Sequence, residues 1–166
     1  MITTRNLLIL CVLTAIVLPV AGCGGEKLPP GMPTPVPCEI VVMQEGKPLE
    51  GAVVRLHSEN TDQWTAVGRT DATGKAAIYT ADRYKGAIPG KYKVIVSKTE
   101  MDKPSAARPS EETQGGSASL ASYQLVEAQF GMASSTTLEV DVVKGTPTYT
   151  VDAGKAVRIK IEEERR

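Results

Sequence analysis

The chain has 166 residues with 19 basic and 19 acidic side chains, so it offers no cationic excess for nucleic acid or an anionic membrane surface. A single histidine rules out the usual multi-histidine zinc sites, and three cysteines leave little room for a disulfide framework.

The first 22 residues have the three parts of a secretory signal. Arg5 is the one charge of the leading region, residues 7–18 are apolar except for Thr14, and Val20-Ala21-Gly22 supplies small side chains. The apolar run of twelve residues is too short for an ordinary transmembrane helix, which needs about 20. The stretch Leu18-Pro19-Val20-Ala21-Gly22-Cys23 resembles a bacterial lipobox. The resemblance implies cleavage before Cys23, two palmitate-type acyl chains carried by its sulfur and usually a third on the new α-amino group. Two or more acyl chains hold a protein stably at a membrane, where a single one does not. Gly24 stands where enteric sorting would place Asp for retention in the inner membrane, so the outer membrane or cell surface is the expected location. An ordinary signal peptide that contains a cysteine is the plainer alternative. After cleavage 18 basic residues face 19 acidic ones, a net charge of −1. Cys11 leaves with the leader and Cys23 takes lipid. Cys38 is then alone, expected as a small apolar residue at the core edge, with an intermolecular bridge as the sharper alternative.

Residues 23–37 read as a lipid-anchored tether: positions 24–37 contain five prolines and three glycines, which bars a helix or a central strand. Pro29-Pro30 and the alternating Pro33, Pro35 and Pro37 favour polyproline II, with a reach of roughly 40 Å at ~3.1 Å per residue. A spacer explains this composition without invoking a Pro-motif ligand.

From Cys38 the hydrophobic pattern has a period of two, broken by Gly, Pro, Asn and Asp, and the domain over 38–166 reads as all-β. A strand over 38–44 places Ile40 and Val42 on one face, and Glu45-Gly46-Lys47-Pro48 is a turn. A second over 51–58 turns Ala52, Val54 and Leu56 inward and Val53, Arg55 and His57 outward. Strands over 64–70 and 75–80 form a hairpin around Asp71-Ala72-Thr73-Gly74, where Asp71 accepts backbone N–H bonds and Gly74 takes positive φ. Residues 91–97 place Tyr92, Val94 and Val96 on one face. The 101–122 stretch, rich in Ser, Ala, Glu, Gly and Pro, reads as a mobile surface insertion or a binding loop. Residues 123–130 resume as an extended segment that Phe130 packs onto a sheet. Strands over 137–143 and 155–162 follow, the last with Val157, Ile159 and Ile161 inward and Arg158, Lys160 and Glu162 outward. About seven strands of this kind predict an antiparallel two-sheet sandwich.

Three stretches resemble the carboxypeptidase regulatory-like domains, a transthyretin-like group of β-sandwiches related in layout to Ig-like folds. They are Gly46-Lys47-Pro48-Leu49-Glu50-Gly51-Ala52-Val53-Val54, Gly68-Arg69-Thr70-Asp71-Ala72-Thr73-Gly74, and Pro89-Gly90-Lys91-Tyr92-Lys93-Val94-Ile95-Val96. The resemblance covers residues 46–96 and implies a scaffold rather than an active site.

No residue pattern here assembles a catalytic site, and no cofactor or metal is expected. His57 beside Arg55 reads as a solvated residue. Transthyretin-like hydroxyisourate hydrolases end in a Tyr-Arg-Gly-Ser that is absent from Glu162-Glu163-Glu164-Arg165-Arg166. A pilin-type isopeptide bond lacks its Lys beside Glu39, and turn capping accounts for Asp62 and Asp71 better than calcium does. The expected function is therefore a lipid-anchored, non-catalytic module of the cell envelope, working structurally or by protein contact. The alternative is a glycan-binding module with Trp64 and Tyr84 as an aromatic platform; burial of Trp64 would favour the first reading. The expected partners are the membrane, through the lipid on Cys23, and an envelope protein or glycan, not nucleic acid.

Overall fold

The computed structural model describes residues 27–58, 63–102 and 121–161. Cys23 with the whole leader, Asp62, positions 103–120 and positions 162–166 lie outside the described residues. The protein is an all-β sandwich. Among the described residues there are thirteen strands and one turn of 3-10 helix, Ala128–Gly131. In chain order the strands are β1 (Glu39–Gln44), β2 (Lys47–Pro48), β3 (Val53–Ser58), β4 (Ala66–Arg69), β5 (Lys75–Ala77), β6 (Tyr79–Thr80) and β7 (Tyr84–Lys85). Then follow β8 (Gly90–Ser97), β9 (Thr99–Met101), β10 (Ser122–Gln124), β11 (Glu139–Val142), β12 (Thr148–Asp152) and β13 (Ile159–Ile161). One sheet has the order β12-β1-β2, with β5 also on β1, and the large sheet runs β11-β8-β3-β4-β6-β7. A third, smaller sheet has the order β13-β10-β9.

The period of two does what it predicts in the strands that build the core. Ile40 and Val42 of β1, Val54 and Leu56 of β3, and Tyr92, Val94 and Val96 of β8 are buried together with Ile78, Val126, Phe130, Val140, Val142 and Val151. Arg55 is exposed and His57 half-buried on the opposite face of β3. Each fully buried Val, Leu or Ile of this kind contributes roughly 1.5–3 kcal/mol. Tyr92 enters the core with its hydroxyl donating to the Ile88 carbonyl at 2.7 Å. Burial, with Cys38 close by, pushes its phenol above the ordinary value of 10.0. Cys38 is itself in the core at 3% exposure, so an intermolecular bridge would require the core to open.

The hairpin after β4 is built as its residues dictate. The Asp71 carboxylate accepts from Thr73 N (2.8 Å), Thr73 Oγ1 (2.7 Å) and Lys75 N (3.1 Å), and Gly74 N donates to Asp71 O. Thr70, buried beside it, holds the start of β3: its hydroxyl accepts from Ala52 N at 2.8 Å, and its own N–H donates to the Ala52 carbonyl.

Several elements depart from the sequence expectation. β12 runs parallel to β1, Ile40 facing Tyr149 and Val42 facing Val151, so the sandwich is not purely antiparallel. The single strand expected over 75–80 divides at Ile78, whose N–H donates to the Cys38 carbonyl. Its first half pairs with β1 and its second with β4, so it joins the two sheets along one side. Phe130 is buried as expected, but from a 3-10 turn rather than an extended segment. The ends of the 101–122 insertion are paired, with Met101 facing Ser122 and Asp102 N bonded to the Ala121 carbonyl. The last strand keeps its alternation but does not face the core. Ile159 and Ile161 are 51% and 41% exposed because β13 pairs with β10 in the small sheet.

The Pro/Gly segment differs most. From Lys27 onward it lies on the domain instead of standing off it. Met32 is buried, Val36 and Ala87 exchange backbone hydrogen bonds at 2.8 and 3.0 Å, and the Tyr84 hydroxyl donates to the Lys27 carbonyl at 3.2 Å. Gly86 makes this approach feasible: its φ is +106°, and a β-carbon there would collide with the Val36 carbonyl oxygen.

Candidate functional site

Register separates the large sheet into two ends. Val53 faces Ser97 at one end and Ser58 faces Tyr92 at the other. Between Tyr92 and Ser97 β8 spans about 16 Å at ~3.3 Å per residue. The two ends carry different surfaces.

Beyond Ser97 the chain enters β9 and the small sheet. One face of that sheet holds Met101, Ser122 and Ile161 in one row and Thr99, Gln124 and Ile159 in the next. Met101 at 66% exposure joins Ile159 and Ile161 as an exposed apolar face. The opposite face is polar and tied together. Arg158 lies over the Tyr123 ring at 3.9 Å, and Asp102 accepts from Arg158 Nη2 at 2.9 Å and from the Tyr123 hydroxyl at 3.1 Å. Gln44, buried at the end of β1, holds this sheet to the sandwich. Its amide donates to the Leu125 and Lys155 carbonyls, both at 3.1 Å, which precede the 3-10 turn and β13. Sequence reading missed this surface. Its one signal is the alternation over 155–162, a pattern that by itself points Ile159 and Ile161 to the core.

At the Ser58 end β6 turns into β7 through Ala81 and Asp82, both at positive φ (+53° and +55°). The Ala81 N–H donates to the Thr65 carbonyl at 2.7 Å, which brings the Trp64-Thr65 backbone to this turn. Trp64 and Tyr84, expected as an aromatic platform, are thus brought to the same end of the sheet, each half-buried. Arg83 lies 5.8 Å from the Tyr84 ring centre, and Lys27, Arg83 and Lys85 are exposed around it. Tyr79, on the outer face, is 39% exposed.

His57 and Lys93 face each other across β3 and β8 and, with Ala133 and Ser134, line an open hollow of about 380 Å³. Lys93 also pairs with Glu139 at 3.1 Å. Among the described residues no group of three or more His, Cys, Asp or Glu could hold a metal ion, and no helix is long and apolar enough to cross a membrane. Cys38 is not a reactive thiol: burial, then the neighbouring Glu39, pushes its pKa from 9.0 to about 11. No family model, curated protein or solved structure matches the chain.

Proposed function

We propose that this chain is an exported, lipid-anchored β-sandwich of a bacterial cell envelope that works by contact with another protein and performs no catalysis. The anchor rests on the lipobox-like stretch ending at Cys23, and the scaffold on its resemblance to carboxypeptidase regulatory-like domains over residues 46–96. In support of that resemblance, two of its motifs are joined by the Thr70–Ala52 hydrogen bonds. The observation that carries the protein-contact role is the exposed face of Met101, Ile159 and Ile161, three large apolar side chains that the fold leaves on one side of a sheet. Such a face costs solubility unless something covers it.

Two measurements test the reading. Intact mass and detergent partitioning of the protein from a bacterial host should give an acylated species beginning at Cys23, lost in Cys23→Ala. A soluble product of unmodified mass, unchanged by the substitution, removes the anchor. For the contact surface, a photo-crosslinking side chain at Gln124, in the row of Ile159, should capture one envelope protein in cells. Ile159→Lys with Ile161→Lys should abolish that product without lowering the amount of folded protein. Persistence of the product in the double variant rejects this face. A glycan-binding role is the second reading, favoured by the partly exposed Trp64 and Tyr79 rings near one edge of the large sheet. Against it, the Tyr84 hydroxyl is engaged with the Lys27 carbonyl.

A further inference from the structure

We propose that the corner formed by Lys27, Trp64, Arg83, Tyr84 and Lys85 is laid against the lipid headgroups of the membrane in which Cys23 is anchored. The inference rests on the lipid anchor proposed above and adds an orientation to it.

The first argument is the length of chain left between anchor and domain. The Pro/Gly composition alone allows a reach of roughly 40 Å for a free segment. The domain, however, takes hold of the chain at Lys27, through the Tyr84 hydroxyl, and keeps it through Met32 and Val36. Lys27 lies four positions after Cys23. A fully extended chain spans at most ~3.6 Å per residue, so the two lie within about 14 Å. That is far less than the roughly 30 Å thickness of a bilayer's hydrocarbon core. A sandwich whose attachment point is this close to the acyl chains has one end at the headgroups, and that end is the one bearing Tyr84.

The second argument is the chemistry of that end. The described charges at the corner are Lys27, Arg83 and Lys85 against Asp82, a local excess of cations on a chain that is otherwise slightly acidic. Basic side chains near an anionic leaflet contribute about 1 kcal/mol each. Trp and Tyr, apolar rings with a polar handle, concentrate at the membrane–water boundary for the same reason. The anchor supplies the adhesion, and these five side chains decide which way the domain lies. The apolar face of the small sheet is at the opposite end and remains open to a partner.

The test uses the full lipidated protein, reconstituted in vesicles of phosphatidylethanolamine and phosphatidylglycerol that contain a headgroup-linked quencher. A fluorescent thiol probe is placed at Asp82→Cys, at the tip of the turn, or at Ser97→Cys, at the far end of β8. Cys38 is buried and stays unlabelled in the folded protein. Quenching should be several-fold stronger at position 82 than at 97. Adding Arg83→Glu and Lys85→Glu to the Asp82→Cys protein should reduce that difference. Equal quenching at the two positions, on a protein of acylated mass, overturns the orientation and leaves the anchor standing. A preference that survives charge reversal overturns the assignment to these cations. An Asp82 probe that ignores vesicles but responds to added oligosaccharide overturns it in favour of the glycan reading. A protein without acyl mass takes the orientation down together with the anchor.

Discussion

At the scale of single residues, Asp71 shows how one carboxylate fixes a turn. Three donors converge on its Oδ1 atom, and they hold its pKa below the ordinary 3.8; the Thr73 hydroxyl is the largest cause, followed by the backbone N–H groups of Lys75 and Thr73. A pKa lowered on folding stabilises the protein above the unfolded value and loses that contribution as pH falls through the folded one. Wild type should therefore be more stable than Asp71→Asn at pH 7, and the gap should close between pH 4 and the lowered pKa, as read by denaturant unfolding across that range. Cys38 makes the opposite kind of statement. With its pKa near 11, about one thiol in a thousand is ionised at pH 8, and the core covers it as well. A disulfide-exchange reagent should titrate Cys38 at the rate of unfolding, accelerating in denaturant in step with loss of structure. Both residues were legible in sequence: an Asp four positions before Lys75 across a Gly signals a capped turn, and a lone Cys opening an alternating run signals a core position.

At the scale of elements, legibility followed locality. β1, β3, β4, β8 and β11 announced themselves because each carries its own alternation and its own turn residues. β12 did not. Its Tyr149 and Val151 alternate too, but its partner is β1, more than a hundred residues away and parallel, and no local pattern encodes that pairing. The same gap explains the error at β13. Alternation says that Ile159 and Ile161 share a side, and only the pairing with β10 says which way that side faces. The contacts of the Pro-rich strap from Lys27 onward were not legible for a different reason. Proline bars strands and helices but does not bar an extended chain from lying on a surface, and Val36 needs just two backbone bonds to Ala87 to do so. Gly86 is the test of the strap. Gly86→Ala meets both an unfavourable φ and the Val36 carbonyl, and it should cost roughly 2–3 kcal/mol. Amide exchange should then accelerate first at Val36 and Ala87, ahead of the centre of the large sheet.

At the scale of the whole molecule, the two ends depend on different ties. The Ser58 end is held by the strap and the Ala81–Thr65 bond, whereas the small sheet at the other end leans on the Gln44 amide. Gln44→Leu keeps the volume and strands two carbonyls, so a loss of about 2 kcal/mol is expected. Its signature is local: hydrogen exchange should rise in β10 and β13 while β3 and β8 keep their protection. Nothing in the sequence pointed to Gln44, which stands at an inward position among apolar neighbours and reads as an ordinary polar strand end. The candidate surfaces were legible only as residue types. Trp64 and Tyr84 were visible as unplaced rings, but their meeting at one end needed the Ala81–Thr65 bond, and the apolar face needed the third sheet. The placement of the strap at one end and the apolar face at the other has a mechanical consequence. A protein fastened to a membrane beside Tyr84 and gripped by a partner at Ile159 is pulled along its strands. The rows of hydrogen bonds between β3 and β8, and between β1 and β12, then share such a load in shear instead of unzipping one by one.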